Sequence, residues 1–175
     1  MKYLLKGIKV IQEDYNENEH SKELYAYFGL AVFHAQVLEH QLVNMIVLMK
    51  SLQEEKITSN YIEALFSRKL SNTMGQLINE IKQMFNLEDD EIMQLKTILE
   101  KRNFIIHDYF KERISLAYSK DGRDSMIIEL IDFIEQANKI DKKLERYTDD
   151  MSAKLGITKE LLTAQIAKMV AKTDV

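Results

Sequence analysis

The spacing of apolar residues along the chain predicts a protein built almost entirely from helices. Apolar residues recur at three- and four-residue steps over residues 21–50, 59–85, 88–113 and 126–147, as they do on one face of an amphipathic helix. Clusters of polar residues separate these stretches and mark the turns. The pattern therefore predicts four principal helices, of which the first is long enough to form the spine of a bundle.

The ends of the chain add two shorter predicted helices. Residues 1–13 form a short first helix, and the polar link over 14–20 leads to Ser21, a suitable cap for the long helix. Near the other end, Thr158 can cap a last helix. Between the third and fourth principal helices, Asp121-Gly122 predicts a turn.

Composition supports a single all-α domain, an antiparallel helical bundle with an extra C-terminal helix. The 175 residues are 46% hydrophobic and include no proline and only five glycines, so the chain can bury one sizeable core with few helix breakers. We divide it into an N-terminal helix and link over 1–20, a helical bundle over 21–150 and an accessory helix over 151–175.

Several classes of protein are disfavoured by what the chain contains. It has no cysteine, which excludes disulfides, thiolate metal sites and cysteine nucleophiles and fits a reducing compartment. Lysines interrupt the apolar residues of the first ten positions, which therefore make a poor signal peptide. The apolar-rich segment 24–49 contains too many polar residues for a membrane span. We expect a cytoplasmic protein with no membrane partner.

The predicted helix over 88–113 carries polar residues where its apolar stripe should face the core. At about 100° per residue, Arg102 lies roughly 60° to one side of Leu99 and Asn103 about 40° to the other. His107 lies at the edge of the stripe and within reach of the Asn103 amide. A guanidinium buried without a partner is costly, and Glu39 and Asn44 on the long helix are candidate partners. The stripe consists of Ile92, Leu95, Leu99, Ile106 and Phe110.

Other histidines do not suggest a metal site. His34 and His40 are six residues apart, roughly 120° from alignment on a helix. Glu17 and His20 have E-x-x-H spacing, but a di-iron bundle needs that unit twice and no second copy exists. We predict neither a metal nor a cofactor. An alternative interpretation is that His107 has no catalytic role and only packs at the edge of the core.

The run Arg102-Asn103-Phe104-Ile105-Ile106-His107 resembles the R-x4-6-H motif of HEPN domains (higher eukaryotes and prokaryotes nucleotide-binding). His107-Asp108-Tyr109 extends it to the R-x4-H-x-Y form of the toxins in HEPN/MNT toxin–antitoxin pairs. The resemblance covers about residues 21–147 and implies a HEPN-like helical bundle with the motif on a late helix. The chain differs from compact toxins of that type by its N-terminal extension and by the helix after Thr158.

What the resemblance implies is a metal-independent endoribonuclease, a toxin or antiviral effector that acts as a homodimer. Its RNA substrate would be transfer RNA or single-stranded RNA, cut to 2′,3′-cyclic phosphate and 5′-hydroxyl ends. Arg102 would hold the scissile phosphate, and His107 would take the proton from the ribose 2′-hydroxyl or give one to the departing 5′-oxygen. The supporting residues would be Asn103, Asp108, Tyr109 and Glu39.

Two features of this interpretation leave alternatives open. Tyr109 would contact substrate or be the hydroxyl that a nucleotidyltransferase-type antitoxin modifies, but an aromatic residue covering the end of the core explains it equally well. The main rival function is a non-catalytic HEPN-like dimer that binds a partner protein or a nucleotide. A chance match on an unrelated helical bundle would place Arg102 and His107 on opposite sides of the structure.

The distribution of charge does not decide between these functions. The formal net charge of −4 disfavours binding of nucleic acid through charge alone. From Glu100 to Arg123 six basic residues accompany four acidic ones, which makes this segment mildly basic. A solvated helix face explains that excess as well as an RNA-binding surface does.

Overall fold

The computed structural model describes residues 15–54 and 56–173, which form seven α-helices, one short 3₁₀ helix and no strand. The predicted all-α bundle is confirmed, whereas the predicted helix over 1–13 lies outside the described residues. None of the helices in the described ranges combines the length and apolar composition needed to cross a membrane. The helices are α1 (Glu17–Gln53), α2 (Ser59–Leu70), α3 (Met74–Met84), α4 (Asp89–His107), α5 (Tyr109–Arg113), the 3₁₀ helix (Leu116–Tyr118), α6 (Lys120–Lys154) and α7 (Lys159–Thr173).

The two longest helices, α1 and α6, lie side by side and run in the same direction. Arg123 pairs with Glu17 at their N-terminal ends, with 3.2 Å between Nη1 and Oε1. Farther along, Gln41 Nε2 donates to Thr148 Oγ1 at 3.2 Å. The chain can begin α6 beside the start of α1 because the helices between them return it to that end of the bundle.

Helix α4 runs antiparallel to α6, as the predicted antiparallel bundle requires, whereas the parallel pair of α1 and α6 departs from that prediction. The ammonium group of Lys143 lies 2.6 Å from Asp90 at the start of α4, and that of Lys101 lies 2.8 Å from Asp132 near the start of α6. These partly exposed pairs fix the register more than they stabilise the fold. The core between α1, α3, α4 and α6 is apolar and closely packed; residues at most 2% exposed include Leu24, Ala31, Leu38, Leu42, Ile46, Leu77, Ile81, Leu95, Ile98, Leu130, Phe133 and Ile140.

The cap of the long helix α1 lies five residues earlier than predicted. Asn16, rather than Ser21, caps it, because the Asn16 side-chain oxygen accepts the backbone N–H groups of Asn18 at 3.0 Å and Glu19 at 3.3 Å. The predicted polar link over 14–20 is therefore largely the first turn of the helix. Glu17 and Glu19 place negative charge where the helix dipole favours it.

The predicted helix over 59–85 is wrong as a single element, because the chain breaks it at residues 71–73. Thr73 starts a new helix through a capping box: its hydroxyl accepts the Gln76 N–H at 3.3 Å, and Gln76 Oε1 accepts the Thr73 N–H at 2.8 Å. The apolar spacing continues across the break, which conceals it from a periodicity argument. The turn is important because it forms one wall of the candidate site.

The helix predicted over 88–113 is also divided. Asp108 has φ −127° and ψ −9°, so α4 ends at His107 and the short α5 begins at Tyr109. The backbone carbonyl of Asp108 still accepts the Glu112 N–H at 2.9 Å. The chain therefore bends at this one residue without leaving a helical path.

Helix α6 corrects two further predictions at its ends. Asp121 and Gly122 lie in its first turn rather than in a separate turn, and Ser119 caps it by accepting the Gly122 N–H at 3.1 Å. The helix continues past Tyr147 to Lys154. Gly156, with φ +70°, then reverses the chain in the left-handed conformation that glycine adopts most readily.

Candidate functional site

A groove of about 550 Å³ opens beside α4 and brings both motif residues together. One wall comes from α4, one from α1, and one from the turn between α2 and α3. Arg102 and His107 therefore share a surface, which the alternative of a chance match does not predict. The lining residues are Glu39, Ser71, Asn72, Thr73, Met74, Gly75, Leu99, Arg102, Asn103 and His107.

Arg102 lies closer to the core than the apolar stripe predicts. The buried positions of α4 are Glu91, Leu95, Ile98 and Ile105, followed by Tyr109 after the bend. The face that α4 buries is therefore rotated about the helix axis from the predicted stripe, and Leu99 lies to one side of it. Arg102 lies within about 20° of the middle of this buried face, and its side chain is 20% exposed. Asn103, predicted to interrupt the core-facing surface, is exposed instead.

The guanidinium of Arg102 is held in place from two sides. Its Nη2 lies 3.2 Å and 3.4 Å from the carboxylate oxygens of Glu39, and its Nη1 donates to Asn103 Oδ1 at 3.2 Å. The predicted pairing with Glu39 is confirmed, whereas the other candidate, Asn44, is exposed to solvent. Within the described part of the chain the buried Nε has no acceptor, and one N–H of Nη1 also remains available.

His107, the last residue of α4, projects into the same groove. It is exposed, and its imidazole makes no hydrogen bond to any residue that the structure describes. Asn103 does not orient it as predicted, because the Asn103 oxygen accepts from Arg102 instead. The imidazole is consequently free to contact a bound molecule through either nitrogen.

Sequence reasoning missed the third wall of the groove, formed by Ser71, Asn72 and Thr73. The first N–H groups of α3, among them those of Met74 and Gly75, have no partner within the helix and carry the positive end of its dipole. The residues Met74 and Gly75 line the groove together with Arg102. The T-x-x-Q spacing from Thr73 to Gln76 is a sequence signature of a helix start and could have identified this wall.

Tyr109 and Asp108, the other motif residues, lie outside the groove lining. Tyr109 is 1% exposed, and its hydroxyl donates to the backbone carbonyl of Met126 at 2.7 Å. Burial, followed by the nearby charge of Glu129, raises the pKa of Tyr109 above its ordinary value. This placement matches the alternative in which Tyr109 covers the end of the core. Asp108 interacts with Lys111, with 3.6 Å between the charged groups.

The mildly basic segment 100–123 does not present a free positive surface. Its basic side chains mostly pair with carboxylates: Lys101 with Asp132, Arg102 with Glu39, Lys111 with Asp108 and Glu112, Arg113 with Glu129 and Arg123 with Glu17. In the groove, Arg102 and the first residues of α3 line the same space, and a helix start favours an anion.

A second polar cluster joins the start of α1 to the start of α6. His20 lies 3.2 Å from the Tyr15 hydroxyl through Nδ1 and 3.0 Å from Asp124 through Nε2. Arg123, 3% exposed, contacts the Tyr15 hydroxyl and the Glu17 carboxylate. Because these polar groups bond to one another, they form a structural cluster that anchors the two helices.

Across residues 15–54 and 56–173, no group of three histidine, aspartate or glutamate side chains is arranged to hold a metal ion. Comparison with known proteins gives no match to the chain among protein-family models, curated proteins or solved structures.

Proposed function

We propose that the protein is a metal-independent endoribonuclease of HEPN type, with Arg102 and His107 as its catalytic residues. The observation that carries the proposal is their common groove: a fixed arginine and an exposed histidine, which has no hydrogen-bond partner among residues 15–54 and 56–173, line the same space. The R-x4-H-x-Y resemblance supplies the reaction class. The substrate is a cytoplasmic transfer RNA or single-stranded RNA, and the biological role is that of a toxin or antiviral effector.

The chemistry follows from the two side chains. Spare N–H groups of Arg102, together with the start of α3, hold the scissile phosphate and offset charge as it accumulates in the transition state. The His107 imidazole takes the proton from the ribose 2′-hydroxyl or gives one to the departing 5′-oxygen. Attack of the 2′-oxygen on phosphorus and loss of the 5′-oxygen leave a 2′,3′-cyclic phosphate and a 5′-hydroxyl, without water as a reactant.

A homodimer would supply a second histidine, so that one imidazole acts as base and the other as acid. An exposed aromatic strip on α1 beside the groove supports this arrangement. Tyr25 is 61% exposed and Phe33 is 56% exposed, and Tyr25 lies 5.8 Å from the Phe110 ring after the bend.

The rival function is a HEPN-like dimer without catalysis, which binds a partner protein or nucleotide. The ion pair between Arg102 and Glu39 favours it, because a guanidinium already paired with a carboxylate resembles a structural contact. A nucleotidyltransferase-type antitoxin is one such partner, but its modification of Tyr109 would require local opening of the core.

The test is cleavage of end-labelled transfer RNA and single-stranded RNA in excess EDTA by wild type, His107→Ala and the control His34→Ala. We expect His107→Ala to lose about 10²- to 10⁴-fold in rate, and His34→Ala, whose side chain lies outside the groove, to retain activity. Product ends are identified by mass spectrometry. Equal cleavage by His107→Ala and wild type refutes the assignment, and absence of cleavage by wild type favours the binding dimer.

A further inference from the structure

A second groove lies next to the first along α1. It encloses about 280 Å³ and shares Glu39 and Asn72 with the groove of Arg102 and His107. The two grooves are therefore neighbours on the surface, with these two side chains lining both. The second groove is lined by Gln36, Glu39, His40, Val43, Leu70, Asn72 and Leu77.

The accessible lining of the second groove is mainly polar, and Leu70, 43% exposed, supplies its apolar surface. Val43 and Leu77 also line it but are at most 1% exposed, so they offer a ligand little surface. Gln36 and Asn72 contribute amides whose side chains have no hydrogen-bond partner within 15–54 and 56–173. His40 is exposed, and its ring stands edge-on to that of Phe66 at 6.2 Å. Two unengaged amides beside the exposed Leu70 side chain suit a flat ligand that has hydrogen-bonding edges.

We propose that the second groove is a nucleobase subsite, which receives the base next to the phosphate held by Arg102. Proteins that read single-stranded RNA turn bases out of the stack, pack their faces and hydrogen-bond their edges. An amide offers one acceptor and two donors and can form a two-point contact with a base edge. Gln36 and Asn72 are thus specificity-determining residues. This inference rests on the proposed ribonuclease function, since it names the substrate contact beside the same site.

Asn72 is placed to couple the two grooves. It lies in the turn that Thr73 ends by capping α3, and its backbone N–H donates to the Lys69 carbonyl at 3.0 Å. The turn is therefore fixed by backbone bonds, while the Asn72 amide remains available to both spaces. A base in the second groove would place its own phosphate toward Arg102, and base recognition would then set where the RNA is cut.

The experiment uses DNA oligonucleotides that contain a single ribonucleotide, so that each substrate has one cleavable bond. The base on each side of that bond is varied through all four types, and kcat/KM is measured for wild type, Asn72→Ala, Gln36→Ala and Gln83→Ala. Gln83 is an exposed glutamine on α3 outside both grooves and serves as the matched control. We expect wild type and Gln83→Ala to prefer one base on one side by at least about tenfold.

The two groove variants should show a much smaller spread between the four bases, whatever their absolute rates. Equal cleavage of all four substrates by wild type, or an unchanged preference in both variants, overturns the subsite while leaving the ribonuclease intact. A binding measurement covers the case of no cleavage: the four nucleoside 3′-monophosphates are titrated while the side-chain amide signals of Gln36 and Asn72 are followed by NMR. In that case, shifts that depend on the base would support the base subsite even though the ribonuclease proposal has failed. Absence of shifts would refute the subsite as well.

Discussion

The buried position of Tyr109 leads to a prediction that separates a core role from a substrate role. Its ring lies among three other aromatic rings, with centroid distances of 6.0 Å to Phe28, 5.8 Å to Phe104 and 5.7 Å to Phe110. Its hydroxyl donates to the Met126 carbonyl at 2.7 Å. Met126 lies inside α6, where the same carbonyl also accepts a helical hydrogen bond. If the Tyr109 hydroxyl is removed, the Met126 carbonyl therefore still accepts its helical hydrogen bond and is not left without a partner.

These contacts set the size of two effects. Tyr109→Phe loses one neutral buried hydrogen bond and should lower the free energy of unfolding by about 0.5–1.5 kcal/mol, a decrease in Tm of roughly 2–4 °C per kcal/mol for a chain of this length. Tyr109→Ala also removes the ring and should cost about 3–5 kcal/mol. Tyr118→Phe is the matched control, because Tyr118 is 79% exposed and its hydroxyl lies in solvent.

Urea unfolding followed by circular dichroism measures stability, and the RNA cleavage assay measures activity on the same preparations. Tyr109→Phe should retain cleavage once measured at a temperature where it is fully folded, since its hydroxyl lies outside the groove. A variant with unchanged stability but lost cleavage would refute this reasoning and place the hydroxyl at the substrate. Equal destabilisation by Tyr118→Phe would show that the assay does not report the buried bond.

Three further substitutions test other parts of the structure. Gly122→Ala would place a methyl group 2.1 Å from the Leu116 carbonyl oxygen, and we expect thermal unfolding to show a loss of about 1–3 kcal/mol. Burial tends to raise the pKa of Glu80, but the hydrogen bond from Lys69 lowers this pKa below its ordinary value of 4.5. Glu80→Gln should therefore lower the free energy of unfolding by about 1–3 kcal/mol at pH 7. In urea titrations, this difference from wild type should shrink as the pH falls below 4.5. The stabilisation by the carboxylate is present above that pH and is lost as the carboxylate of the folded protein takes up a proton. Phe33→Asp should convert a dimer to a monomer in sedimentation velocity, with unchanged helix content; a monomeric wild type would contradict the proposed role of the exposed strip.

Much of the fold was predictable because the helices are amphipathic and the chain contains few breakers. The errors lie at helix ends, where periodicity carries no information and capping does. Asn16 and Thr73 each begin a helix that the apolar spacing placed elsewhere, and both are followed three residues later by Glu or Gln, the signature of a capped start. Gly122 suggested a turn, but its lack of a side chain serves a close approach to Leu116.

The candidate site was predictable only in part, for a physical reason. The pairing of Arg102 with Glu39 followed from the cost of a buried guanidinium, and the structure contains that pair. The T-x-x-Q spacing at Thr73 marks the helix start in the third wall, but no apolar pattern shows that this turn lies beside Arg102, because the two are distant in sequence. The break at Asp108 has no glycine or proline to signal it, so Tyr109 was expected on the same helix as His107.

The contrast between the two motif side chains bears on how such a site would work. Arg102 is fixed by Glu39 and Asn103 before any substrate arrives, so little side-chain entropy is lost when it binds phosphate. His107 has no such support within the described ranges. A ribonuclease built on this groove would therefore hold RNA more readily than it would cut it. Efficient proton transfer requires that the orientation of the His107 imidazole be fixed. It could be fixed by the substrate itself or by the second copy that the strip on α1 would bring to the groove. The ribonuclease would then be slow as a monomer, and its rate would increase with dimer population, whereas a histidine already ordered within one chain would give a rate per chain independent of protein concentration.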